Sequence, residues 1–178
     1  MDFEVRAPRA SEALAWEKLR LVSWRKAYAA DFAASIFAKQ EAQAPARAAG
    51  FAEWLAATGD TGQDVQEQLG QTRKALVAVR KDGGTSVDMP EVGSLLGLAY
   101  TTCMPYETQR LEMLYLLPEA FGTGVAHALL TGALEPGKAK LEVLTTNTRA
   151  IRFYEKEGFE IAGTDEFAGY KTYIMRRS

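Results

Sequence analysis

The run Leu114-Tyr115-Leu116-Leu117-Pro118-Glu119-Ala120-Phe121-Gly122-Thr123-Gly124-Val125-Ala126-His127-Ala128-Leu129-Leu130 reads as a strand, a short turn with two glycines, and a helix. Pro118 cannot donate to a sheet ladder, so it stops the strand predicted over 110–117. Glycine lets backbone N–H groups face outward with no side chain in the way. A helix start carries unpaired N–H groups and about half a positive charge, so it can hold a phosphate or pyrophosphate. A tight turn is the other use for Gly122 and Gly124, and a lone G-x-G does not choose between them. No Lys-Ser/Thr follows the glycines, so this is not a nucleoside triphosphate loop. The loop is too short, and Pro118 and Glu119 stand in the wrong place, for a dinucleotide fingerprint.

Working outward, strands are predicted at 3–7, 75–79, 95–101, 141–144, 159–162 and 170–175. Helices are predicted from Ser11, which can cap one, through Leu14, Leu21, Trp24 and Tyr28. A further helix holds Phe51, Trp54 and Leu55 after a polar stretch with Pro45. Residues 58–62 read as a break, and 65–69 as a turn or two of helix. The helix at 125–134 puts Val125, Ala128, Leu129 and Ala133 on one face. The helix at 148–157 has Asn147 as cap and Gly158 as left-handed stop. Of the 29 alanines, 18 lie before residue 58, which favours helix there. The polar run from Asp82 to Gly93 is a long hairpin loop. Helices precede a block of strands with two later helices between them, so the fold class is α+β or mixed α/β.

The chain has 178 residues, 47% apolar and 25% charged, with a net charge of −2. At roughly 100–200 residues per domain, one domain over 1–178 is expected. One cysteine and one histidine exclude a disulfide framework and the usual Cys or His metal sites, so no metal is expected. The opening residues have acids and no apolar run, and no stretch suits a membrane span, so a cytoplasmic protein without membrane or nucleic-acid partners is expected.

The Gly-rich run resembles the acetyl-coenzyme A motif of the GNAT superfamily of N-acetyltransferases, Gln/Arg-x-x-Gly-x-Gly/Ala. Phe121 takes the Gln/Arg position, Gly124 the first small residue and Ala126 the second. Asn147-Thr148-Arg149-Ala150-Ile151-Arg152-Phe153-Tyr154-Glu155-Lys156-Glu157-Gly158-Phe159 is similar to the second hallmark, Asn-x-x-Ala-x-x-Phe-Tyr-x-x-x-Gly-Phe. Trp24-Arg25-Lys26-Ala27-Tyr28 is a third, weaker likeness. The resemblance implies a mostly antiparallel mixed sheet of about seven strands, splayed between the strands ending near Leu117 and Leu144, with about four helices.

It also implies acetyl-coenzyme A as co-substrate. The backbone at Leu116 and Leu117 would pair with the pantetheine arm. The turn of Gly122, Thr123, Gly124, Val125 and Ala126 would hold the pyrophosphate, with Phe121, Asn147 and Tyr154 also at the cofactor. Transfer to a primary amine would be direct, with Tyr154 protonating the leaving thiolate. Glu112 and Glu142 are each either the base or a plain salt-bridge partner; alternation puts Arg110 and Glu112 on one strand face. Trp24, Tyr28 and Tyr106 are expected at the acceptor, a small-molecule or protein amine, and pairing as a homodimer is implied. A non-catalytic acyl-coenzyme A sensor and a transferase of a larger acyl group remain as alternatives.

Overall fold

The computed structural model describes residues 1–66, 70–86 and 90–178. In chain order it has β1 (Phe3–Arg6), α1 (Ala13–Tyr28), α2 (Ala34–Ala42), α3 (Ala44–Thr58), β2 (Gln63–Gln66), β3 (Gln71–Arg80), β4 (Leu95–Cys103) and β5 (Gln109–Leu116). Next come α4 (Val125–Ala133), β6 (Ala139–Leu144), α5 (Thr148–Lys156), β7 (Glu160–Phe167) and β8 (Tyr170–Arg177). The sheet runs β1-β3-β4-β5-β6-β8-β7, with β2 also on β3, and every pairing is antiparallel except β5 with β6. No helix among the described residues is long and apolar enough to cross a membrane.

Alternation along β3 sorts the core. Ala75, Val77 and Val79 pack with Trp16 and Leu19 of α1, while Leu76 and Ala78 pack with Val125 and Leu129 of α4. Leu141 and Val143 of β6 pack beside Ile151 and Tyr154 of α5. Leu144 turns to the opposite face and meets Phe37 of α2 and Phe32 beside it. Helices α1–α3 therefore cover one face, and α4 and α5 the other.

The predicted strand–turn–helix and the closing strands stand where the residues placed them. Four expectations change. Val65 lies in β2, not in a helix, because the segment pairs with β3 at Thr72; residues 67–69 fall outside the described residues. Among the described residues there are eight strands in the sheet and five α-helices, against about seven and about four. Ser11 does not cap α1: it sits in a 3-10 turn, and the Glu12 carboxylate accepts the Arg9 N–H at 2.8 Å instead. Leu14 is exposed, and α1 buries Ala13, Trp16, Glu17 and Leu19. Alanine and aromatic residues spread around this helix leave its apolar phase poorly marked in sequence.

Strand β5 carries one irregularity. Tyr100 opposes Met113 and Thr101 opposes Leu111, which leaves Glu112 without an opposite residue. Such a bulge resets the side-chain phase. Met113 and Tyr115 therefore face α1, and Leu114 and Leu116 face α4. Strict alternation from Leu111 would have reversed all four.

Candidate active site

The one parallel pairing among the described residues is short. Only Gln109, Arg110 and Leu111 pair with Ala139, Lys140 and Leu141. Beyond them β5 and β6 part, and a cavity of about 420 Å³ opens between them. Its walls come from β5, β6, the Phe121–His127 turn, α5, and Ser23, Ala27 and Tyr28 of α1.

The β5 wall offers backbone groups. The Leu117 N–H donates to the Leu96 carbonyl at 2.9 Å. With the register Leu98–Tyr115 and Ala99–Leu114, antiparallel alternation then turns Tyr115 toward β4, and the N–H and C=O of Leu114 and Leu116 toward the opening. The Leu116 carbonyl there accepts a hydrogen bond from Ser23 Oγ at 3.1 Å.

At the cavity mouth, Gly122 and Gly124 both have positive φ, 73° and 87°, which other residues adopt at a cost. A Cβ at either position would meet nothing within 4 Å. The first amide of α4 with an internal partner is that of Ala128, which bonds to the Gly124 carbonyl at 3.0 Å. Among the described residues, the N–H groups of Gly122, Gly124, Val125, Ala126 and His127 have none. Gly122, Gly124, Ala126 and His127 line the cavity.

Tyr154 is held from below. The Asn147 side chain accepts the Ala150 N–H at 3.2 Å and starts α5; Gly158, with φ of 83°, ends it. The Tyr154 ring packs edge-on against Phe153 and Phe159 and is buried. Burial foremost, then the nearby Tyr28 and Tyr115, pushes its pKa well above the usual phenol range. Asn147 also donates from Nδ2 to the Tyr28 hydroxyl at 3.0 Å, tying α5 to α1 across the cavity.

The two candidate bases share one cation. Arg110 Nε lies 3.1 Å from a Glu112 oxygen, and Arg110 Nη2 lies 2.8 Å from a Glu142 oxygen. Thr102 donates a further hydrogen bond to Glu112 at 2.7 Å. Both carboxylates line the cavity.

An acetyltransferase (GNAT) domain model matches residues 73–161, half of the chain. The chain belongs to the GNAT acetyltransferase family. Uncharacterized N-acetyltransferases of Mycobacterium tuberculosis and Mycobacterium bovis are each 36% identical over 107 residues. That match spans 57% of this chain and 62% of the length of those relatives. Among solved structures, the PaiA N-acetyltransferase from Thermoplasma acidophilum in complex with coenzyme A superposes with a TM-score of 0.69 at 17% identity, covering 100% of this chain and 99% of its own. The apo form of YjaB from Escherichia coli gives 0.63 at 18% identity, covering 99% of this chain and 97% of its own. At these identities the likeness is one of fold.

Set against the GNAT motifs, the expected residues divide. Glu112, Glu142, Leu116, Phe121, Gly122, Gly124, Ala126, Asn147, Tyr154 and Tyr28 line one cavity. Leu117 does not: its side chain is buried, its N–H is bound to Leu96, and its carbonyl accepts the Ala120 N–H at 3.0 Å. Val125 is fully buried, backbone included, and is not part of the cavity wall. Thr123 turns its hydroxyl inward to the Ala120 carbonyl at 2.7 Å. Trp24 packs with Phe32 and Phe37 at ring separations of 5.1 and 4.8 Å, away from the cavity lining. Tyr106 stands fully exposed on the β4–β5 turn, at the end of β5 opposite the opening. Four lining or framing residues leave little or no mark in the sequence: Ser23, Arg110 as the shared cation, Tyr115, and Arg149. Arg149, two residues past the Asn147 cap, falls on an unspecified position of the second motif, so its place over Phe121 comes from the fold.

Proposed function

We propose that this chain is an N-acetyltransferase that moves an acetyl group directly from acetyl-coenzyme A to a primary amine. The observation that carries the reading is the set of unpaired amides at Gly122, Gly124, Ala126 and His127, lying at the mouth of the gap between β5 and β6. A diphosphate suits those donors and the α4 dipole. A pantetheine arm suits the strand edge at Leu114, whose N–H and C=O are open, while the Leu116 C=O already accepts from Ser23 Oγ. Leu116 provides the N–H for the oxyanion that forms when the amine attacks.

The chemistry balances within the cleft. The acceptor arrives as an ammonium ion, and two carboxylates facing one guanidinium leave the strand face net negative, which draws it in. One ammonium proton passes to Glu142 or Glu112, directly or through water. The neutral nitrogen forms a bond to the thioester carbon, and the tetrahedral centre then expels the thiolate. Tyr154 gives its hydroxyl proton to that sulfur, and the second nitrogen proton returns through solvent to the phenolate. Burial keeps Tyr154 protonated until that moment.

One observation favours a second reading, an acyl-coenzyme A sensor: Arg110 already engages both carboxylates. Two measurements decide. A thermal titration with acetyl-coenzyme A is expected to stabilise the protein by about 2.7 kcal/mol at a hundredfold excess over Kd. An amine panel read by free thiol release is expected to show turnover. Binding without thiol release from any amine would favour the sensor, and no stabilisation at millimolar ligand would overturn both readings.

A further inference from the structure

Phe121 occupies the position at which the motif carries a Gln or Arg side chain, and it has no polar atom to offer. The ring is exposed at the cavity mouth, and it is covered from one side. The guanidinium carbon of Arg149 lies 3.9 Å from its centroid. That is close for a cation over an aromatic face, where contacts extend to about 6 Å. Arg149 belongs to the first turn of α5, on the other side of the opening from the glycine turn. No carboxylate among the described residues pairs with it. Its neighbour on the mouth, His127, is by contrast engaged by Glu157 at 2.9 Å. A cation unpaired by acid and steered by an aromatic plate thus stands beside the unpaired amides of the cavity mouth.

We infer that Arg149 is the side-chain ligand of the coenzyme A diphosphate in this protein, with Phe121 as its positioning residue. The polar side chain that the motif places in the glycine turn is delivered here from the opposite helix. Arginine suits the task, because its planar fork can stack on the ring and still present N–H donors to phosphate oxygens. This inference rests on acetyl-coenzyme A being the donor.

The test compares three donors on the purified protein by calorimetry: acetyl-coenzyme A, its 3′-dephospho form, and S-acetylpantetheine, which has no phosphate. Arg149→Ala is expected to weaken the first two by about tenfold, the size of one charge-assisted hydrogen bond, and to leave the third unchanged. Phe121→Ala is expected to show the same donor pattern at smaller size. Phe121→Arg in the Arg149→Ala background is expected to recover most of the loss. An equal loss with S-acetylpantetheine would mean that Arg149 only shapes the cleft. A loss confined to the 3′-phosphorylated donor would move the contact to that phosphate; either result overturns the assignment. Normal binding by Arg149→Ala would overturn it while leaving the acetyl-coenzyme A reading intact, whereas a wild-type protein that binds none of the donors would overturn both.

Discussion

Tyr154 combines a buried ring with a raised pKa, and no hydrogen bond to its hydroxyl contributes to that shift. Tyr154 lines the cavity with no hydrogen-bond partner for its hydroxyl among the described residues, which leaves that proton for a group bound there. Tyr154→Phe is therefore expected to lower kcat by about two to four powers of ten, with KM for acetyl-coenzyme A nearly kept. An unchanged kcat would remove the acid role. The direction of the pKa shift sets the pH profile. A phenol held above its ordinary value of about 10 stays protonated through the neutral and mildly alkaline range, so Tyr154 causes no alkaline fall in kcat below about pH 10. A descending limb near neutrality that disappears in the Phe variant would contradict this. The motif put Tyr154 on α5 and in the cavity wall, because its position depends on spacing within one helix. It could not show that Glu112 and Glu142 both bind Arg110: residue 142 comes from another strand, and the contact exists only because β5 and β6 run side by side.

At the scale of elements, β5 is set by what lies behind it. Gly97 of β4 faces β5 and α4 at close quarters. A Cβ there would sit 2.9 Å from the Tyr115 carbonyl oxygen, 3.0 Å from Leu129 Cδ1 and 3.1 Å from Leu116 Cγ. The carbonyl cannot turn aside without breaking the ladder. Gly97→Ala is expected to cost about 1–3 kcal/mol in urea unfolding, as overpacked cores do, and to weaken acetyl-coenzyme A binding by displacing the Leu114–Leu116 edge. Gly158→Ala makes the useful contrast. Its Cβ has room, with Arg177 the nearest atom at 3.9 Å, but φ is 83°. Its cost of about 1–2 kcal/mol comes from backbone strain alone and should leave donor affinity unchanged. If Gly97→Ala behaved like Gly158→Ala, the crowding behind β5 would not control the edge. The Gly158 stop is visible in sequence at the end of a helical pattern. The close approach at Gly97 is not, because it depends on three residues from two other elements.

Across the whole molecule, the sheet consists of β1–β5 and β6–β8, joined along their edges by three residue pairs. A ligand in the gap would span both parts. Hydrogen exchange should then show a specific pattern. The amides of Leu114 and Leu116 are expected to exchange readily in the free protein and to slow on adding acetyl-coenzyme A. The amide of Tyr115, directed at β4, is expected to be slow in both states. Protection of all three without ligand would mean that the β5 edge is already closed.

The order of residues was enough to set the strand–turn–helix at the glycines, the cap at Asn147, the stop at Gly158 and the place of Tyr154 in α5. These are local matters: each depends on backbone preferences and spacings within about a dozen residues. Packing in three dimensions was needed for the bulge at Glu112, the β2 pairing at Val65, the closing of Leu117 onto β4, and the exclusion of Trp24 and Tyr106 from the cavity. It also settled which cation meets which partner, Arg110 between two carboxylates and Arg149 over Phe121. Those outcomes depend on groups far apart in the chain, and a pairing register or a side-chain contact across elements leaves no periodic trace along it.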